Sequence, residues 1–160
     1  MTATKKQITF MPRKCTSKKP TASPTSQLIA KAWEVRRHAS ADYSGFKVGA
    51  ALRATDGTIS TGCNVENATY GLTVCAERVA VFKALSEGMS RFSEIAIVTS
   101  GSKLTPPCGA CRQILWEFCG NLTIHLANDS GGYRRMKMTT LFPSPFESSH
   151  FKKPKNVGLP

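Results

Sequence analysis

No apolar run in this sequence approaches the roughly 18 residues that a membrane span needs. The opening stretch, MTATKKQITFMPRKCTSKKP, has no apolar centre of the kind a secretory signal carries. The expectation is therefore a cytoplasmic, reducing setting, where six cysteines serve as ligands or core residues and not as a disulfide framework. There is no internal repeat, and no acidic residue occurs before residue 28. That last gap matters because Lys5, Lys6, Arg13, Lys14, Lys18 and Lys19 all lie there, and Lys152, Lys153 and Lys155 lie near the other end. Nine of the 22 basic residues thus sit in the two arms, and the central segment is much closer to neutral than the formal net charge of +12 suggests. Solvated arms rich in Lys, Thr, Ser and Pro explain this pattern. A nucleic-acid arm or a nuclear or organellar address is the sharper alternative.

A chain of 160 residues suits one domain with a modest core. Residues 1–25 are expected to be a disordered basic extension, 26–148 the folded domain and 149–160 a flexible basic tail. Ser26 is a candidate N-cap, followed by Leu28, Ile29, Ala32 and Val35 on one helical face, with DYSG as the stop. FKVGAALRA and TISTGCNVE read as the strands of a hairpin around TDG. NATYGLT reads as a loop. A helix is expected from about Val74 to Glu87, carrying Val79, Ala80 and Ala84, with Gly88 as its stop. SEIAIVTS is a strand, and a third helix is expected from about Cys108 to Phe118 with Ile114, Leu115 and Phe118 on one face. NLTIHLAN is a strand, YRRMKM an edge strand, and LFPSPF begins an irregular tail. Strands alternating with helices imply a three-layer α/β/α domain.

The chemistry concentrates in TVCAERVA and PPCGACRQ. Cys108 and Cys111 have C-x-x-C spacing, which suits two thiolates on one metal and, equally, a redox pair. Cys75 sharpens this. Cys75 and Cys108 both fall at expected helix starts, where the dipole and free N–H groups favour thiolate. Three thiolates leave one tetrahedral zinc position open, the mark of a catalytic site. The sequence lacks a second C-x-x-C, and His38, His125 and His150 are not at ligand spacing. Glu77, two residues after Cys75, is placed to move protons to and from water activated at the metal. Ligand-x-Glu followed by Pro-Cys-x-x-Cys is the zinc deaminase signature; the nucleic-acid branches usually have histidine as first ligand, and here it is Cys75.

YSGFKVGAAL, GCNVENATYGLTVCAER and PCGACRQ together resemble the small, homotetrameric cytidine deaminases, over about Tyr43 to Phe146. The resemblance implies a five-stranded mixed sheet between helices and the hydrolysis of cytidine and deoxycytidine to uridine and deoxyuridine with release of ammonia, a pyrimidine salvage reaction. It implies one Zn²⁺ per subunit on Cys75, Cys108 and Cys111, with Glu77 as the catalytic acid–base. It further implies that Phe46 stacks on the pyrimidine, Asn64 and Glu66 bind ribose hydroxyls, and Ala76 and Cys108 offer backbone groups to the base. Arg78, and with it Gln113, would offset the excess negative charge of three thiolates by hydrogen bonding to a ligand sulfur. Tyr70 and Phe146 are the candidates for residues lent to a neighbouring subunit's pocket. Three rivals are an RNA- or DNA-editing deaminase, a deaminase of an aminonucleoside antibiotic such as blasticidin S, and a non-enzymatic zinc module. The cysteine first ligand and Glu66 disfavour the first, NVENATYG the second, and Glu77 the third.

Overall fold

The computed structural model describes residues 23–147, 149 and 151, so most of both arms lies outside the described residues. Its sheet has five strands in the order β2-β1-β3-β4-β5. These are β1 (Val48–Ala54), β2 (Ile59–Cys63), β3 (Phe92–Thr99), β4 (Thr123–Asn128) and β5 (Tyr133–Lys137). β3 and β4 pair in parallel and every other pair is antiparallel, which makes the sheet mixed as expected. The parallel pair needs a crossover, and α3 (Gly109–Cys119) supplies it.

Period-2 alternation sorts the strand residues into two layers of core. Ala51, Ala96 and Val98 face α1 (Pro24–Arg36), where they meet Leu28 and Ala32. Ala50, Leu52, Ile95 and Ile97 face the other way, against Ala80 and Val81 of α2 (Ala76–Ser86) and Leu115 of α3. Two glycines set how closely the layers approach. A Cβ on Gly49 would lie 2.1 Å from the Ala32 carbonyl oxygen, and one on Gly62 would lie 2.5 Å from the Ala76 carbonyl oxygen. Only a residue without a side chain lets α1 and α2 press on opposite faces of the β1–β2 hairpin.

Several boundaries differ from the sequence reading. α1 is capped by Ser23, whose hydroxyl accepts from the Ser26 N–H at 3.2 Å, and not by Ser26. The reason is Pro24, whose fixed φ and missing N–H suit the first helical position. The helix therefore takes in residues 24 and 25, which the reading placed in the basic extension. It also ends at Arg36, well before DYSG. α2 begins at Ala76 and not Val74, because Val74 is tied to Val65 by a pair of backbone hydrogen bonds. NATYGLT contains a 3₁₀ turn over Tyr70–Leu72, and a further short helix, α4 (Met138–Leu141), follows β5. Phe118 is 42% exposed; the buried face of α3 is held by Cys111 and Leu115, with Ile114, Trp116 and Cys119 partly buried beside them. The five described cysteines are free thiols. No helix among the described residues is long and apolar enough to cross a membrane.

Candidate active site

α2 and α3 both begin at the end of the sheet where β3 finishes, and each opens on a cysteine. Cys75 is the N-cap of α2 and Cys108 that of α3, with neither side chain spent on capping. Cys111 lies in the first turn of α3 and is fully buried. Their three sulfur atoms all lie within 4.8 Å of one another. A tetrahedral zinc with bonds of about 2.3 Å sets its sulfurs about 3.8 Å apart, so this donor set fits one Zn²⁺. Within the protein, Cys75 is held down to about 5 by a hydrogen bond from Cys111, aided by the Arg78 guanidinium. The bond to Cys75 and burial push the Cys111 thiol up in turn. One negative charge thus sits on Cys75, and a divalent cation is what allows all three sulfurs to ionise together. Elsewhere, burial pushes Cys119 up to about 12, which leaves an inert core thiol.

Arg78 lies where the sequence reading expects it. Its Nη2 donates to Cys75 Sγ at 3.6 Å and to the Thr73 carbonyl at 2.8 Å. The Gln113 side-chain amide donates to the Phe146 carbonyl at 2.8 Å. Glu77 is 5% exposed, and burial pushes its carboxyl up to about 7. A carboxyl with that pKa exchanges its proton readily near neutral pH.

These groups floor a cavity of about 280 Å³ whose lining includes Cys75, Glu77 and Cys108 below and Phe46, Asn64 and Glu66 at the side. That volume is near the lower limit for small-molecule sites, about 300–1,000 Å³. Among the described residues, two carboxylates line it and no lysine or arginine does. The Glu66 carboxylate accepts from the Tyr43 and Ser44 N–H groups at 2.9 and 3.0 Å and from the Ser44 hydroxyl. Those bonds, the Ser44 hydroxyl first, hold its pKa below the usual carboxylate range. Asn64 is buried and holds the chain beside it. Its Nδ2 donates to the Phe46 carbonyl at 2.9 Å, and its Oδ1 accepts from the Val48 N–H at 2.8 Å. The Ala76 carbonyl packs against Gly62, which leaves the first N–H of α2, unpaired by position, as its available group.

Tyr70 and Phe146 do not line this cavity. Tyr70 is 73% exposed in an adjoining hollow, edge-on to Tyr43 with centroids 5.9 Å apart. The Phe146 ring packs on Phe151 at 5.3 Å. Thr99 and Thr105 do line it, with hydroxyls 3.4 Å apart, and the sequence reading missed both. Thr105 precedes Pro106 in a segment taken for a plain loop; nearness to PPCGAC was the only signal.

Residues 22–126 match the family model described as the cytidine and deoxycytidylate deaminase zinc-binding region. The chain belongs to this family. Among its deaminase relatives, a cytidine deaminase of Sporosarcina psychrophila is 46% identical over 121 residues, which are 75% of this chain and 89% of the relative. One of Halalkalibacterium halodurans is 45% identical over 120 residues, 74% of this chain and 91% of the relative. The crystal structure of a cytidine deaminase from Burkholderia pseudomallei superposes with a TM-score of 0.73 at 46% identity, over 75% of this chain and 97% of that one. The α/β/α fold and the three-cysteine zinc site of the sequence reading therefore stand together on family, architecture and donor geometry.

Proposed function

We propose that this chain hydrolyses cytidine and deoxycytidine to uridine and deoxyuridine with release of ammonia, in pyrimidine salvage, with one Zn²⁺ per subunit. The observation that carries this reading is the convergence of three sulfurs beside a buried, proton-exchanging carboxyl under a small cavity free of cations. Zinc on Cys75, Cys108 and Cys111 would supply a Lewis acid that makes water a nucleophile near neutral pH. Glu77 takes the proton from the attacking water and delivers it to ring nitrogen N3. It then relays a second proton to the amino nitrogen, which leaves as ammonia while C4 keeps the water oxygen. Arg78 offsets the charge of the thiolates through Cys75.

Phe46 offers its ring to the pyrimidine, and the N–H groups of Ala76 and Cys108 at two helix starts offer donors to it. Asn64 and Glu66 take the ribose hydroxyls. An ionised carboxylate has about four acceptor sites, and three donors already hold Glu66, so one site is left for a sugar O–H. A 3′-phosphate would remove that donor and bring a second negative charge to a wall without cations. The free nucleoside is thus the substrate, and polynucleotides and 3′-phosphorylated nucleosides are rejected. The exposed Tyr70 and Phe146 complete a neighbour's pocket in a homotetramer, and the enzyme works in the cytoplasm.

Loss of absorbance as cytidine becomes uridine, with and without a zinc chelator, tests the activity. Comparison with 3′-CMP and a short cytidine-containing RNA tests the substrate class. Equal turnover of the RNA would overturn the assignment of Glu66 to the sugar. Light scattering tests the assembly, and an active monomer near 17.4 kDa would refute it.

A further inference from the structure

The cavity wall at residues 46–48 projects beyond the regular sheet. β1 starts only at Val48, yet Phe46 and Val48 both line the cavity. Such a segment has one hydrogen-bonding edge toward β2 and the other toward β3, and successive residues alternate between them. On the β2 edge, Asn64 stands in for the missing strand partner and bonds the Phe46 carbonyl and the Val48 N–H. On the β3 edge the exposed group is the Lys47 carbonyl. β3 ends at Thr99, which pairs with Val48, so the Lys47 carbonyl lies one residue past the last strand pair, opposite Ser100.

Arg36, the last residue of α1, reaches this carbonyl. Its Nε donates to the Lys47 carbonyl at 2.9 Å, and its Nη2 donates to the hydroxyl of Ser100, the first residue past β3. The guanidinium also packs on an aromatic ring. It lies 5.4 Å from the centre of the Trp33 ring, within cation–π range. Asp129, whose carboxylate accepts from the Gly101 N–H at 2.8 Å, also feels its charge. A planar group with several rigidly placed donors can bridge Lys47 and Ser100 at once, which a single ammonium does less well.

We propose that Arg36 is a positioning residue of the nucleoside pocket: through the Lys47 carbonyl it sets where Phe46 and Val48 stand against the base. Arg36 touches no cavity atom itself, and the proposal rests on the reading of this cavity as a nucleoside site. It acts on substrate and transition state alike, since the wall contacts the base throughout the reaction. Its loss therefore shows in KM and not in kcat.

The test uses the zinc-loaded, full-length enzyme. Arg36→Met keeps the aliphatic stem over Trp33 and removes every donor. It is expected to raise KM for cytidine about tenfold, with kcat within about threefold of wild type, the scale of one hydrogen bond from a charged donor. The inhibition constant of uridine, the product, should rise in parallel, as a pure binding readout. Arg36→Lys should recover part of the loss, and Ser100→Ala should shift KM in the same direction by a smaller factor. Zinc content and thermal midpoint are measured on each variant. A fall in kcat at unchanged KM and uridine affinity would mean that Arg36 only maintains the folded fraction, and would overturn the proposal. So would wild-type KM in Arg36→Met. Failure of the zinc-loaded wild type to deaminate cytidine would overturn the nucleoside reading itself, so the two failures are distinct.

Discussion

The floor and the side wall of the cavity are built by different means. The floor shows Cys75, Glu77 and Cys108, with the sulfur of the buried Cys111 beside theirs, and all four lie within the first turn or the cap of two helices. Once those helices form, the backbone fixes the spacing of each pair, and the helix starts favour the charges the site needs. The wall consists of Phe46, Val48, Asn64 and Glu66, which stand at or beyond the strand ends. Its shape depends on side chains acting as strand partners: Asn64 on one edge, Arg36 on the other, and Glu66 closing the turn at Tyr43 and Ser44. On the proposed reading, the floor would carry the reacting groups and the wall the recognition. Changes to the floor should therefore abolish turnover, and changes to the wall should mainly alter affinity.

The largest effect is expected for Cys111→Ala. Two sulfurs hold zinc poorly, so metal content and activity should both collapse, and the melting temperature should fall because metal binding contributes folding free energy. Full zinc occupancy by metal analysis would break the ligand assignment. Glu77→Gln comes next. The amide keeps the shape of the acid but carries no proton, so turnover should fall by at least about 10² to 10⁴-fold with zinc retained. Substantial turnover at normal zinc content would remove Glu77 from the chemistry.

On the wall, Glu66→Ala should lower kcat/KM for cytidine by roughly 5- to 150-fold, the equivalent of about 1–3 kcal/mol for a lost partner. Steady-state kinetics that leave kcat/KM intact would separate Glu66 from the sugar. A smaller effect belongs to Asp129, whose carboxyl is held below its usual range by the Gly101 N–H, the Ser100 hydroxyl and the charge of Arg36. A depressed pKa means stability that is present above the unfolded-state value of about 3.9 and lost as pH falls through the lower folded-state value. Asp129→Asn should lower the melting temperature slightly at pH 7 and flatten the acid limb, so that the two profiles converge as pH falls below the folded-state value. The smallest effect is expected on deleting residues 1–22, which stops short of the Ser23 cap. Cytidine kinetics should stay as in the full chain, since the segment carries six of the surplus cations but no residue assigned to the site. A large drop in turnover would show that the arm reaches the pocket.

How much could be read in advance follows the same division. The placing of three cysteines and a glutamate at helix starts was legible because C-x-x-C and C-x-E report local geometry, and helix starts are marked by caps and turns. The strands were legible from alternation. Phe46, Asn64 and Glu66 were named only through the family resemblance; by themselves they read as a core aromatic and two turn residues. The hydrogen bond of Gln113 to the Phe146 carbonyl was not legible, because that partner is more than thirty residues away in the irregular tail. The start of α2 was misjudged because Val74 is held by Val65 across a loop, a contact that propensity cannot express.

The sequence by itself determined the donor types, their spacing within each helix start, and the two glycines that admit close helix packing. Only the tertiary structure decided that Cys75 meets Cys108 and Cys111, because the sheet and the α2–α3 packing bring together residues 33 and 36 positions apart. It likewise decided that an arginine at the end of α1 bonds the wall of the pocket. A hydrogen bond between distant residues depends on where whole elements come to rest, and the local pattern of side chains does not encode that.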